Sequence, residues 1–139
     1  MHFLVTGGAG FIGSHLVDSL VAQGHRVRVL DNLATGFIEN LSGVVDQVDF
    51  ANGDVRDYET VCAALHGVDV VYHEAALPSV TRSVKNPLET NSANTTGTLN
   101  VLTAARDSGI RRVILASSSS VYGTSPDLPK AESMPLAPL

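Results

Sequence analysis

Several groups of residues in this chain have the types and spacing to hold a phosphorylated ligand. Gly7-Gly8-Ala9-Gly10-Phe11-Ile12-Gly13 interrupts an apolar run, Phe3-Leu4-Val5, and leads into the helical pattern Phe11, Ile12, Leu16, Leu20. In such a strand-to-helix turn Gly7 allows the tight bend, Gly10 brings the backbone up to a diphosphate with no Cβ in the way, and Gly13 lets the helix pack closely on the strand. The free N–H groups and positive dipole end of the helix then face the anion. Asp31 stands 18 residues beyond Gly13, at the carboxyl end of a second strand, where an acid accepts both hydroxyls of an adenosine ribose. A 2′-phosphate there would meet like charge, and the nearest arginine, Arg28, precedes the acid instead of following it, so Asp31 selects NAD over NADP. The plain alternative is an ordinary turn with Asp31 as a turn former; the strand before, the helix after and the acid further on favour a dinucleotide.

Further along, Gly53-Asp54-Val55-Arg56-Asp57 follows a third strand and places a carboxylate for adenine's amino group and a valine against its ring. The competing reading is a helix N-cap by Asp57 with Asp54 in the turn. Glu74-Ala75-Ala76 follows a fourth strand, and its small residues let a flat ring lie close. Ser117-Ser118-Ser119-Ser120 follows a fifth strand; on its own it reads as a polar loop.

The elements that must carry these residues alternate. A strand over about His2–Thr6 leads to a helix over about Phe11–Gln23, ended by Gly24, and then to a strand over Arg26–Leu30. Residues 32–46 are polar and glycine-punctuated and read as a loop with at most one short helical turn. A brief strand over Val48–Ala51, a helix to about His66 closed by Gly67, and a strand over Val68–His73 follow. Residues 78–86 read as an irregular loop, and Pro87 suits the first turn of a long helix to about Ser108, with Leu88, Leu99, Val101, Leu102 and Ala105 as its apolar side. Asn91, Asn94 and Asn100 are poor helix formers, which points to inward hydrogen bonds from some of them. The last strand covers Arg112–Ala116. Strand and helix in this rhythm predict a doubly wound α/β fold with about five parallel strands in the order 3-2-1-4-5. All the candidate groups then share one sheet edge, at the carboxyl ends of the strands.

Composition narrows the partners. With 139 residues, 44% hydrophobic and 17% charged, the chain has enough apolar material for one packed domain. A net charge of −5 and the lack of a basic patch argue against nucleic acid or an anionic membrane as partner. The single cysteine, Cys62, excludes an internal disulfide and a cysteine-based zinc site, fits a reducing compartment and reads as a small hydrophobe on a helix face; no metal site is expected. No apolar run reaches the ~20 residues of a spanning helix and the apolar start is too short for a signal peptide, so the expected location is the cytoplasm.

Seven segments together resemble the extended short-chain dehydrogenases/reductases, the NAD-dependent epimerase/dehydratase group. They are TGGAGFIGSH (6–15), LDNLATG (30–36), GDVRD (53–57), HEAA (73–76), the RSV..P stretch (82–87), NTTGTLNVL (94–102) and ASSSSVYG (116–123). Within the group the chain is most similar to UDP-sugar 4-epimerases, including those acting on UDP-N-acetylhexosamines. The resemblance implies a Rossmann-type NAD-binding domain over 1–139, with Gly7, Gly10, Phe11, Ile12, Gly13, Asp31, Asn32, Asp54, Val55, Ala75, Ala76 and Asn94 holding the cofactor. It implies that Ser118 hydrogen-bonds the C4 hydroxyl of a UDP-sugar, that Ser79, Ser119 and Ser120 touch the sugar, and that the protein at full length is a homodimer.

Two departures qualify what is implied. Dehydratases of the group carry an Asp-Glu pair directly after the catalytic residue, where this chain has Ser119 and Ser120; this argues against a 4,6-dehydratase, and the missing Glu against the decarboxylating relatives. The group's general base is a tyrosine four residues before a lysine on one helix, so that the ammonium lowers the phenol's pKa. Here Tyr58, Tyr72 and Tyr122 are followed at that place by Cys62, Ala76 and Pro126. The sequence thus reads as the cofactor portion of an epimerase, incomplete before the tyrosine-lysine helix and the substrate domain, and inactive alone. The alternatives are an NAD-binding module without catalysis and a sugar-nucleotide dehydrogenase or reductase.

Overall fold

A computed structural model describes residues 1–138. Five parallel strands form one sheet in the order β3-β2-β1-β4-β5: β1 (His2–Thr6), β2 (Arg26–Asp31), β3 (Asp49–Asn52), β4 (Val70–His73) and β5 (Arg112–Leu115). The expected order is the observed one. β1 is buried along its whole length because β2 and β4 flank it and helices cover both faces. A strand closed on every side needs the near-continuous apolar run that Phe3-Leu4-Val5 supplies.

Strand alternation divides the core in two. Phe3, Val5, Val27, Val29 and Val70 face α1 (Phe11–Ala22), which contributes Val17 and Leu20. Leu4, Leu30 and Val71 face α2 (Tyr58–Ala64) and α5 (Gly97–Asp107), which contribute Val61, Ala64, Val101, Ala104 and Ala105. Asp57 caps α2, its carboxylate accepting from the N–H of Glu59 at 3.1 Å. Gly24, Gly67 and Gly109 follow α1, α2 and α5 at φ +76°, +72° and +67°, the left-handed stop that the sequence marks at each helix end.

Several boundaries differ from expectation. The loop 32–46 contains one 3-10 turn, Ile38–Leu41, and a second, Val45–Gln47, ends it, because Leu41, Ile38, Val44 and Val45 reach back to the α1 side of the core. Residues 78–86 are not wholly irregular: α3 (Val80–Lys85) forms there, capped by the Ser79 hydroxyl accepting from Arg82 N–H at 3.2 Å. The helix from Pro87 is not uniform. α4 (Pro87–Asn91) widens into a π turn at Ser92–Thr96 before α5 resumes. Its anticipated apolar side also divides: Val101 and Ala105 are buried, while Leu88 is 85% and Leu99 62% exposed.

Candidate functional site

A cavity of about 810 Å³ opens over the carboxyl ends of the strands. Strand register makes this edge: Thr6 pairs with Leu30 and His73, so β1, β2 and β4 end level and their following loops converge. Every anticipated cofactor residue lies in the cavity wall: Gly7, Gly10, Phe11, Ile12, Gly13, Asp31, Asn32, Asp54, Val55, Ala75, Ala76 and Asn94. Ser118 joins them; Ser79, Ser119 and Ser120 are not among the lining residues. Ser79 is engaged as the α3 cap, and Ser118 accepts from Ser120 N–H at 3.2 Å while donating to Ser120 Oγ at 3.1 Å.

The glycine turn is fixed from both sides. Gly7 takes φ +69° and donates to Leu30 O at 2.8 Å, tying the turn to β2. At Gly13 a Cβ would stand 2.2 Å from Gly7 O and 2.8 Å from Gly8 Cα, so only glycine lets α1 sit this close. Gly10 is the N-cap of α1 and has no side chain to accept from the first turn, where there is also no acidic residue. The opening N–H groups of a helix have no partner within it, and these open into the cavity wall. They fit a diphosphate.

Asp31 is 8% exposed and already holds the turn in place: its carboxylate accepts from Ala9 N–H at 2.9 Å and Leu33 N–H at 2.8 Å. Each carboxylate oxygen has two acceptor sites, so one on each remains for ribose hydroxyls. Arg28, by contrast, is committed elsewhere, to Asp49 at 2.6 Å and to the carbonyls of Ala64 and His66. Asn32 donates to Asp54 Oδ2 at 2.7 Å and accepts from Ala34 N–H at 3.0 Å. Asp57 caps α2, as the N-cap reading has it, and Asp54 lines the cavity and accepts from Arg56 N–H. The Arg56 guanidinium holds the Asp54 carboxyl down at about 2.

Beyond β4 a chain of hydrogen bonds fixes the other half of the wall. Thr98 Oγ1 donates to Asn94 O at 2.7 Å, which leaves it to accept from His73 Nε2–H at 3.0 Å. Nδ1 is then the acceptor for the Thr6 hydroxyl at 2.6 Å, and Thr6 Oγ1 accepts in turn from Ala75 N–H at 3.3 Å. Burial pushes the His73 pKa down to about 4, so the ring is neutral, and burial raises the Glu74 carboxyl. Asn94 accepts from Leu77 N–H at 2.7 Å and donates to Leu77 O at 3.3 Å, and Asn100 donates to the carbonyls of Val55 and Arg56. These are the inward bonds that the helix's asparagines imply; Asn94 reaches the cavity from the π turn.

Sequence reasoning passed over Arg56, His73, Thr98 and Gly36, all in the cavity wall. Gly36 backs the glycine turn so closely that a Cβ would lie 2.8 Å from Ala9 C. All four lie inside segments already marked, at positions whose chemistry depends on contacts that only the fold creates.

Comparison with known proteins agrees with this geometry. Residues 3–139 match the NAD dependent epimerase/dehydratase family. The chain is 45% identical over 142 aligned residues to a UDP-glucose 4-epimerase of Mycolicibacterium smegmatis, covering 99% of this chain and 45% of that protein. Its fold superposes with a TM-score of 0.89 on the UDP-glucose-4-epimerase of Stenotrophomonas maltophila solved with bound NAD and formylated UDP-arabinopyranose, at 36% identity, covering 99% of this chain and 43% of that one. A dTDP-glucose 4,6-dehydratase of Streptomyces venezuelae, solved with NAD, gives the same TM-score at 39% identity, covering 99% and 46%. The chain spans less than half the length of each of these three. By sequence match and by fold, the chain belongs to the NAD dependent epimerase/dehydratase family.

Proposed function

We propose that this chain is the NAD-binding portion of a UDP-sugar 4-epimerase. The observation that carries the reading is the single cavity in which a glycine turn with unpartnered helix N–H groups lies between two acids, Asp31 and Asp54, on one side and Ser118 on the other. The Phe11 to Gly13 backbone receives the diphosphate, Asp31 the adenosine ribose, and Asp54 with Val55 the adenine. Ala75, Ala76 and Asn94 support the nicotinamide half. When bound, NAD supplies the hydride acceptor and donor for sugar C4.

Ser118 orients the C4 hydroxyl by hydrogen bonding; Ser79, Ser119 and Ser120 stand outside the cavity lining and would touch only parts of the sugar that extend beyond it. Epimerase is favoured over dehydratase because Ser119 and Ser120 stand where the dehydratases of the resemblance have their Asp-Glu pair. No tyrosine here has a lysine four residues on, so these 139 residues by themselves bind NAD and do not epimerise. In the complete protein, pairing of two copies covers the exposed apolar residues of α3 to α5, among them Val84 and Leu88. Assay of the chain with UDP-galactose and UDP-N-acetylglucosamine should show no turnover; turnover comparable to a full-length relative contradicts the assignment of the base outside these residues.

A further inference from the structure

The Asp54 carboxylate is fully subscribed by the chain's own donors. Oδ1 accepts from the Arg56 backbone N–H at 2.8 Å and from Arg56 Nε at 2.9 Å. Oδ2 accepts from Arg56 Nη2 at 2.5 Å and from Asn32 Nδ2 at 2.7 Å. A carboxylate has about four acceptor sites, two on each oxygen, and all are taken. An adenine amino group can reach this acid only if one donor leaves.

The donors are not equally free to leave. The Arg56 N–H belongs to the turn that starts α2, and Asn32 is held at its other end by Ala34 N–H. The Arg56 side chain is 39% exposed and Asp54 25%, so the guanidinium sits at a wet rim, where an ion pair is held weakly. Glu89 on α4 lines the same cavity, its charge acting on Arg56, and gives a displaced guanidinium a second carboxylate.

We infer that Arg56 determines which purine the site takes: its guanidinium competes with an adenine amino group for Asp54, and it is itself a donor to a base that carries a carbonyl at that position. The inference rests on the proposed placement of the adenine at Asp54 and Val55. Arg56 is thus a specificity residue that narrows the site's preference for adenine over hypoxanthine. With the guanidinium removed, Asp54 keeps only the backbone N–H of residue 56 and Asn32 as donors and is free to accept from adenine, while a hypoxanthine carbonyl has lost the guanidinium donor and faces the carboxylate oxygens.

The test is calorimetric titration of the wild-type chain, Arg56→Ala and Arg56→Met with NAD and with nicotinamide hypoxanthine dinucleotide. Methionine keeps the alkyl stem and cannot donate, and the exposed position leaves folding intact, which a thermal melt checks. Both variants should bind NAD several-fold more tightly and the hypoxanthine analogue several-fold more weakly. Because one hydrogen bond to a charged group changes partner in each case, the ratio of the two dissociation constants should move about tenfold or more. Equal shifts for both ligands, or none, overturn the role of Arg56 and leave the NAD site standing. Failure of the wild-type chain to bind either dinucleotide removes the site itself, and the inference with it.

Discussion

Replacing Gly13 by alanine adds one methyl group at the closest approach between α1 and the glycine turn. The new Cβ would lie 2.2 Å from Gly7 O, 2.8 Å from Gly8 Cα and 2.9 Å from Gly7 C, so helix and turn must separate by about 1 Å to restore an ordinary contact near 3.4 Å. All three obstacles are backbone, and no rotamer change relieves them. Gly7 cannot withdraw cheaply, because it donates to Leu30 O at 2.8 Å and accepts from Gly10 N–H at 3.0 Å. The cost therefore falls at the upper end of overpacking penalties, ~3 kcal/mol, which for a domain of this size lowers the melting temperature by roughly 10 °C. Two controls separate causes. Gly24→Ala meets nothing within 4 Å and bears only the strain of φ +76°, about 1–2 kcal/mol. Gly10→Ala meets one atom, Gly7 O at 3.1 Å, at an unstrained φ of −77°, so its effect should be small on melting and larger on NAD affinity. The assay is thermal unfolding followed by circular dichroism, with and without NAD. A Gly13→Ala melt within 2 °C of wild type refutes the close-packing argument.

Asp31→Ala should lower both stability and NAD affinity, since it strands the N–H of Ala9, which is buried, and removes the oxygens proposed to accept from ribose. An unpaired buried N–H costs ~1–3 kcal/mol, so denaturant unfolding should lose that much, and calorimetry should show weaker NAD binding. The His73 ring is neutral in the fold, with its pKa lowered to about 4 from an ordinary 6.5. Between those values the unfolded chain binds the extra proton, so this contribution to stability, ~3 kcal/mol in full, is present above pH 6.5 and is lost as the pH falls toward 4. Melting temperature measured across that interval should rise with pH, and His73→Gln should flatten the rise. Val84 and Leu88 are 77% and 85% exposed, so Val84→Lys with Leu88→Glu should leave stability of the isolated chain within ~0.5 kcal/mol per site while reducing binding of a hydrophobic dye; a larger loss of stability would mean that these residues pack within the chain.

The sequence carries its clearest signals where one element's chemistry is sufficient. β1 and β4 are legible because buried parallel strands must be apolar, β2 because its β-branched residues alternate with arginines, and the glycine turn because φ +69° at Gly7 and the contact at Gly13 leave no other residue type. α3 is illegible by periodicity, since none of its residues is buried; its signal is the cap at Ser79 alone. The π turn at Ser92–Thr96 follows from tertiary demands: Asn94 must meet Leu77 while Val101 and Ala104 stay in the core, and a regular helix pattern does not show that conflict. Leu88, Leu99 and Leu102 look like core because hydrophobicity alone does not tell which side of a helix is covered. Arg56 was hidden for a similar reason. Its setting depends on Asp54 being two residues away in a turn and on Asn32 arriving from the loop after β2.

The central claim is that the edge formed by the glycine turn, Asp31 and Asp54 receives NAD. Calorimetric titration of the chain, freed of any carried-over nucleotide, measures it directly. One NAD per chain should bind saturably, NADP should bind at least ten times more weakly because its 2′-phosphate meets Asp31, and Asp31→Ala should shrink that difference. Absence of NAD binding, or equal affinity for the two dinucleotides in the wild-type chain, contradicts the account.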